Sequence, residues 1–203
     1  ICYRRLMEDG ICEIVPGFYS KTIKFEDITY QLLDRDGKVD VFTRYCEFLN
    51  YFDPQIHVQI SIVNRAIDKV DFKNQMFLKY REDNLNEARE EYNKMLNEKM
   101  MQGQSNMIRE KYLTFTVKAV DYRNAVQILY RVENDILNNF KSFGAQAHVL
   151  NGHERLALMY YFFNGAESFI FDYNYLLAYD LSTKDFIAPD SFDADNEVYI
   201  LFP

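Results

Sequence analysis

Residues 113–149 read LTFTVKAVDYRNAVQILYRVENDILNNFKSFGAQAHV, and three patterns succeed one another within them. Leu113, Phe115 and Val117 alternate with Thr114 and Thr116, the period-two pattern of a half-buried strand. Ala125, Leu129, Val132, Ile136, Phe140 and Phe143 then recur at three and four, one stripe of a helix opened by Asp121. Gly144 stands where a left-handed C-terminal cap belongs. Ala145, Ala147 and Val149 follow as a weaker strand. The stretch is one βαβ unit.

Upstream lies a second unit of the same kind. Ile11 to Val15 and Phe18 to Phe25 read as strands joined at the turn dipeptide Pro16-Gly17. From Lys38 to Phe52 the residues Phe42, Tyr45, Cys46, Leu49 and Phe52 make a helical stripe, which Asp53-Pro54 ends. Ile56, Val58, Ile60 and Ile62 alternate with His57, Gln59 and Ser61, again a half-buried strand. Two βαβ units predict an α+β fold of the ferredoxin-like, split βαβ kind, a sheet with helices on one face. Residues 1–150 form this duplicated domain, with a helical insertion near 84–103. The inserted helix, Asn84 to Met101, is charged almost all round, with a thin stripe of Leu85, Ala88, Tyr92, Met95 and Leu96. Gln102 to Asn106 is the expected flexible joint. Residues 151–203 begin with an aromatic-rich helix, Gly152 to Phe163, and continue from Ala166 as an irregular aromatic segment with a closing strand at Glu197 to Phe202.

The 203 residues suffice to bury a core without disulfides or metals. Thirty-one acids against twenty-three bases leave a charge of −8, a field that repels phosphate, so nucleic acid is not expected to bind this domain directly. Cys2, Cys12 and Cys46 show no C-x-x-C spacing and read as reduced, mostly buried thiols. The longest apolar stretches, such as Leu156 to Phe163, fall far short of the ~20 residues of a membrane span. The chain opens at Ile1 without Met and ends at Phe202-Pro203 directly after a strand-like run, so a piece of a larger protein is expected.

Motifs that carry chemistry are not found. A Walker A loop needs G-x-x-x-x-G-K-[ST]. Gly10 and Gly17 are seven apart and lack the Lys and hydroxyl. His57, His148 and His153 lie on three separate elements and do not make local zinc pairs. Asp34-Arg35-Asp36-Gly37 begins like a calcium loop, but Val39 and Tyr45 occupy the positions that need Gly and Glu; Asp193-Ala194-Asp195-Asn196 fails the same way. The acid pairs Glu26-Asp27 and Glu90-Glu91 read as solvated charge. No catalytic, cofactor-binding or metal-binding residue is assigned.

The positive signal is aromatic. Sixteen Tyr and seventeen Phe are present, and no Trp. Tyr160, Tyr161, Phe162 and Phe163, followed by Phe169, Phe171, Tyr173 and Tyr175, exceed what one small sheet can hide. They are read either as a core continuing beneath the C-terminal segment or as a docking face for another domain or subunit, where Tyr and Phe are enriched. Stacking of single-stranded nucleic acid is the weakest alternative, for few basic residues stand among these rings.

Several runs, taken in order, resemble one family. They are Tyr3-Arg4-Arg5-Leu6-Met7-Glu8-Asp9-Gly10-Ile11-Cys12, continuing through Pro16 to Ile23, and Cys46-Glu47-Phe48-Leu49-Asn50-Tyr51-Phe52. Lys111 to Phe115, Asp135 to Phe140, Leu150-Asn151-Gly152-His153-Glu154-Arg155-Leu156 and Leu181 to Pro189 follow. Over essentially the whole chain these resemble the N-terminal domain of the TraE-like conjugative-transfer ATPases, the ATPases of type IV secretion systems on Gram-positive conjugative elements. The resemblance implies an assembly and docking domain at the cytoplasmic face of the membrane. Its implied partners are its own C-terminal ATPase domain, other copies of itself and components of the membrane-embedded channel. ATP and Mg are implied only for the C-terminal domain, which this chain lacks, and no catalytic residue carries over. The aromatic segment of 151–203 would pack toward that domain. The alternative is a free-standing α+β protein-binding or regulatory module.

Overall fold

The computed structural model describes residues 3–27, 30, 33–66, 77–102, 107–165, 169–179 and 181–189. Cys2, the strand expected at Glu197 to Phe202, the Asp193 to Asn196 stretch and most of the joint at Gln102 to Asn106 lie outside them. The strands are β1 (Arg5–Leu6), β2 (Cys12–Val15), β3 (Phe18–Phe25), β4 (His57–Ala66), β5 (Met107–Lys118) and β6 (Ala147–Val149). The helices are α1 (Arg35–Tyr51), α2 (Asn86–Gln102), α3 (Tyr122–Phe143), α4 (Gly152–Asn164), α5 (Tyr173–Tyr179) and α6 (Thr183–Ile187). None of them is long and apolar enough to cross a membrane.

The fold is α+β, built on one sheet. Its strand order is β1-β2-β3-β5-β4, with β6 also paired to β3. β3 and β4, joined through α1, are thus separated by β5, while β5 and β6, joined through α3, are separated by β3. That interleaving is the split βαβ arrangement. β3 takes β2 antiparallel along its first half and β6 antiparallel along its second, with Cys12 opposite Ser20 and Ile23 opposite Val149.

By its contacts the chain divides into two units, Ile1–Gln59 with Leu113–Pro203, and Ile60–Tyr112. In the first, α3 shows why its sequence folds as it does. The Asp121 carboxylate accepts the Asn124 N–H at 2.8 Å, and Gly144 closes the helix with φ 76°. Ala125, Leu129, Val132, Ile136 and Phe140 are buried against Tyr19, Ile23, Leu113, Phe115 and Val117 of the sheet. The side chain of Phe143 lies outside the described set.

α1 differs from the expected stripe. Phe48 is its buried residue, with Phe52 packed beside it, while Phe42, Tyr45 and Leu49 are exposed. The ring of Phe48 sits 5.3 Å from that of Phe140, centroid to centroid, so a different face of α1 meets α3.

The sheet also carries helical structure on its second face, beyond the helices expected on one face only. β3 alternates: Tyr19 and Ile23 join the α3 core, while Ser20 points to Arg155 of α4. On that second face Tyr3, Leu6, Cys12, Leu156 and Ile187 form a separate buried cluster. The C-terminal segment read as irregular contributes α5 and α6, which are too short to show a period.

In the second unit, the stretch before α2 is strapped to it by two asparagines. The Asn93 amide accepts the Leu78 N–H at 2.9 Å and donates to the Leu78 carbonyl at 3.0 Å; Asn86 does the same for Arg81. Most of the described α2 side chains are exposed.

Candidate functional site

The second buried cluster is organised around two glycine turns. Gly10 has φ 81°, and a Cβ there would stand 2.1 Å from the Leu150 carbonyl oxygen. Only glycine fits both the backbone and the space. Gly152, which opens α4, donates its N–H to the Glu8 carbonyl at 2.9 Å and lies against the Tyr173 hydroxyl. The Asn151 capping box starts α4: its side chain accepts the Glu154 N–H, and the Glu154 carboxylate accepts the Asn151 N–H, each at 2.9 Å.

One turn into α4, Arg155 is buried with its guanidinium forked between strands. Nη1 donates to the Gly10 carbonyl at 2.7 Å and to the Ser20 carbonyl at 2.8 Å, and Nη2 donates to Ser20 Oγ at 3.2 Å. Burial pulls its pKa down from the ordinary arginine value, and the nearby Cys12 works in the opposite direction. Burial likewise pushes the Cys12 thiol up. An enclosed guanidinium that donates to two backbone carbonyls and a hydroxyl staples the β1–β2 turn, β3 and α4 together.

On the opposite face Lys21 is enclosed in the α3 core. Its Nζ lies 2.5 Å from Glu133 Oε2 and 3.8 Å from the centroid of the Tyr130 ring. A charged pair inside an apolar layer is held by mutual attraction and by this ring, since each partner alone would be an uncompensated buried charge.

The eight aromatics read as a docking face divide in two. Tyr160, Phe169 and Phe171 pack on the Leu156–Ile187 cluster of their own unit. The Phe169 and Phe171 rings stack at 5.7 Å, with Tyr173 edge-on to Phe171 at 4.7 Å. Tyr161 is half-buried. Phe162 at 58%, Phe163 at 45% and Tyr175 at 53% remain open to solvent, as does Ile170. A shallow pocket beside them is lined by Tyr160, Asn164, Phe169, Ile170, Asp185 and Phe186 among others.

The three histidines stand apart in role. His57 is exposed on β4, and His148 Nε2 lies 2.8 Å from Glu154 Oε1. His153 leans against the Phe169 and Phe171 rings. Among the described residues no group of three or more His, Cys, Asp or Glu side chains is placed to hold a metal ion. Sequence reasoning missed Arg155, Lys21 and Glu133. A lone charge inside an apolar pattern was the available signal, visible for Lys21 between Tyr19 and Ile23. Comparison with known proteins finds no family model that matches the chain and no characterised protein that matches its sequence.

Proposed function

We propose that this chain is a non-catalytic assembly and docking domain, the N-terminal part of a conjugation ATPase of a type IV secretion system. The observation that carries the docking reading is the exposed apolar end of α4 and the segment beyond it: Phe162, Phe163, Ile170 and Tyr175 lie open, while their neighbours are packed into the chain's own second cluster. Rings in this state suit a partner surface, where aromatic side chains contribute much contact area for little lost conformational freedom. The attribution to a conjugation ATPase rests on the ordered sequence runs given above. In this reading ATP and Mg belong to a following ATPase domain, and the chain works at the cytoplasmic face of the membrane beside channel components. Asp9, Gly10, Asn151, Gly152 and Arg155, which fall in those runs, hold the two glycine turns that seat α4 on the sheet.

The test is to read the gene beyond the codon for Pro203. A frame continuing into G-x-x-x-x-G-K-[ST] is expected, and the following domain, expressed separately, should bind this chain and lose it on Phe162→Ser with Phe163→Ser. A stop codon at that point would leave a free-standing binding module and remove the ATPase reading. The 203-residue chain is expected to show no ATP turnover; hydrolysis that follows this chain through purification would overturn the non-catalytic assignment.

A further inference from the structure

α1 carries two apolar faces, and among the described residues only one of them packs into a core. Phe48 and Phe52 turn to the core. About a third of a turn away, Val39 (59% exposed), Phe42 (64%), the half-buried Cys46 and Leu49 (44%) follow one another at spacings of three, four and three. That is the a/d spacing of a helix that packs along another helix. Such an exposed stripe on a 17-residue helix has the pattern of an interface.

The sequence of the stripe says which partner fits. Laid antiparallel against its own copy, with the two-fold axis level with Arg44, the stripe falls into register with itself. Val39 then faces Leu49 of the second copy, and the bulky Phe42 faces the small Cys46. Beyond the stripe, Arg35 stands in the first turn of the helix and Asp53 in the turn that follows the extended C-cap Phe52, both exposed. In the antiparallel register these two come to the same level, so each end of the seam brings opposite charges near one another. A parallel pairing would instead place Arg35 on Arg35 and Asp53 on Asp53. The helix carries three basic and three acidic side chains, Arg35, Lys38 and Arg44 against Asp36, Asp40 and Glu47. A membrane-surface helix would instead show basic excess on its polar face.

We propose that α1 is a self-complementary docking helix through which two copies of this chain pair antiparallel about Arg44. The surface is distinct from the aromatic end of α4, so the proposal can fail while the docking reading above stands. Because two heptads make a small interface, the pairing is weak and concentration-dependent.

Sedimentation equilibrium of the 203-residue chain tests it. The mass is expected to rise with concentration from the 24.2 kDa of one chain toward twice that value. Phe42→Glu, at an exposed position, should hold the chain monomeric with unchanged circular dichroism. Arg35→Asp and Asp53→Arg should each weaken association about tenfold, and the two together should recover it. A monomer at the highest soluble concentration, or a dimer that survives Phe42→Glu, overturns the proposal. A double charge exchange that fails to recover pairing overturns the antiparallel register. Binding of the single chain to phosphatidylglycerol vesicles, abolished by Phe42→Glu, would assign the face to a membrane instead.

Discussion

Lys21 and Glu133 are enclosed on opposite walls of the α3 core, on β3 and α3, and their energetics follow from what happens when one is removed. Lys21→Met leaves the Glu133 carboxylate buried without its cation, which is expected to cost about 3–5 kcal/mol in urea unfolding. Adding Glu133→Leu to Lys21→Met should return most of that loss, because an apolar pair of similar volume suits the layer. A single-variant loss under about 1 kcal/mol would mean that water reaches the pair. Gly10 is governed by sterics. Gly10→Ala must place a Cβ 2.1 Å from the Leu150 carbonyl in a left-handed backbone, so the β1–β2 turn and α4 must part. A loss of more than about 3 kcal/mol is expected, with Gly144→Ala as a milder control because nothing lies within 4 Å of its Cβ position. Neither Gly10 nor Arg155 could be read as a constraint from sequence, because Leu150 and Ser20, which define their surroundings, are far away along the chain. The same distance hid the split among the aromatics: spacing shows that Phe162 and Phe171 are both apolar, but not that Ile187 covers one neighbourhood and leaves the other open.

At the scale of elements, α3 was legible from end to end, since its cap residues and its single apolar stripe agree on one orientation. Leu129, fully enclosed on that stripe, should lose about 2–5 kcal/mol on Leu129→Ala. α1 was legible as a helix but not in its orientation. Its apolar residues populate two adjacent faces, and period alone does not say whether Phe42 or Phe48 meets the sheet. Phe42→Ala should therefore change the stability of the single chain by no more than about 0.5 kcal/mol. Chemical denaturation of the two alanine variants side by side checks both assignments, and a Phe42→Ala loss equal to that of Leu129→Ala would reverse the face of α1. The interleaved strand order was readable because each βαβ half announces itself by a switch from period two to a helical period and back. In the second helical layer α4 was legible as a helix but not in its place on the sheet, and α5 and α6, at seven and five residues, are shorter than the window a helical period needs.

At the scale of the larger unit, elements distant in sequence are tied by tyrosine hydroxyls, and this gives the whole assembly a pH limit. Tyr51 at the end of α1 donates to the Asp135 carboxylate on α3. Tyr122 at the start of α3 donates to Asp9 in the β1–β2 turn at 3.0 Å. Tyr173 of α5 packs its hydroxyl against Gly152 near the same turn without a hydrogen bond to the described residues, so it shares their burial but not their ties. Partial burial first, and the neighbouring carboxylates second, push each of these phenols from 10 up to about 12. The sign follows from linkage. In the unfolded chain a phenol loses its proton near pH 10, whereas in the folded chain it keeps it to about 12, so folding holds extra protons in that interval. The contribution of these ties is thus complete below pH 10 and is lost as pH rises through 12. Titration of tyrosinate absorbance, followed in parallel by far-ultraviolet circular dichroism, should show ionisations near pH 12 in step with which the helical signal falls. Tyr51→Phe should reduce this phase, flattening the pH dependence of urea stability between 10 and 12. A helical signal that persists unchanged through pH 12 would show that the Tyr51 and Tyr122 hydroxyls do not tie these elements.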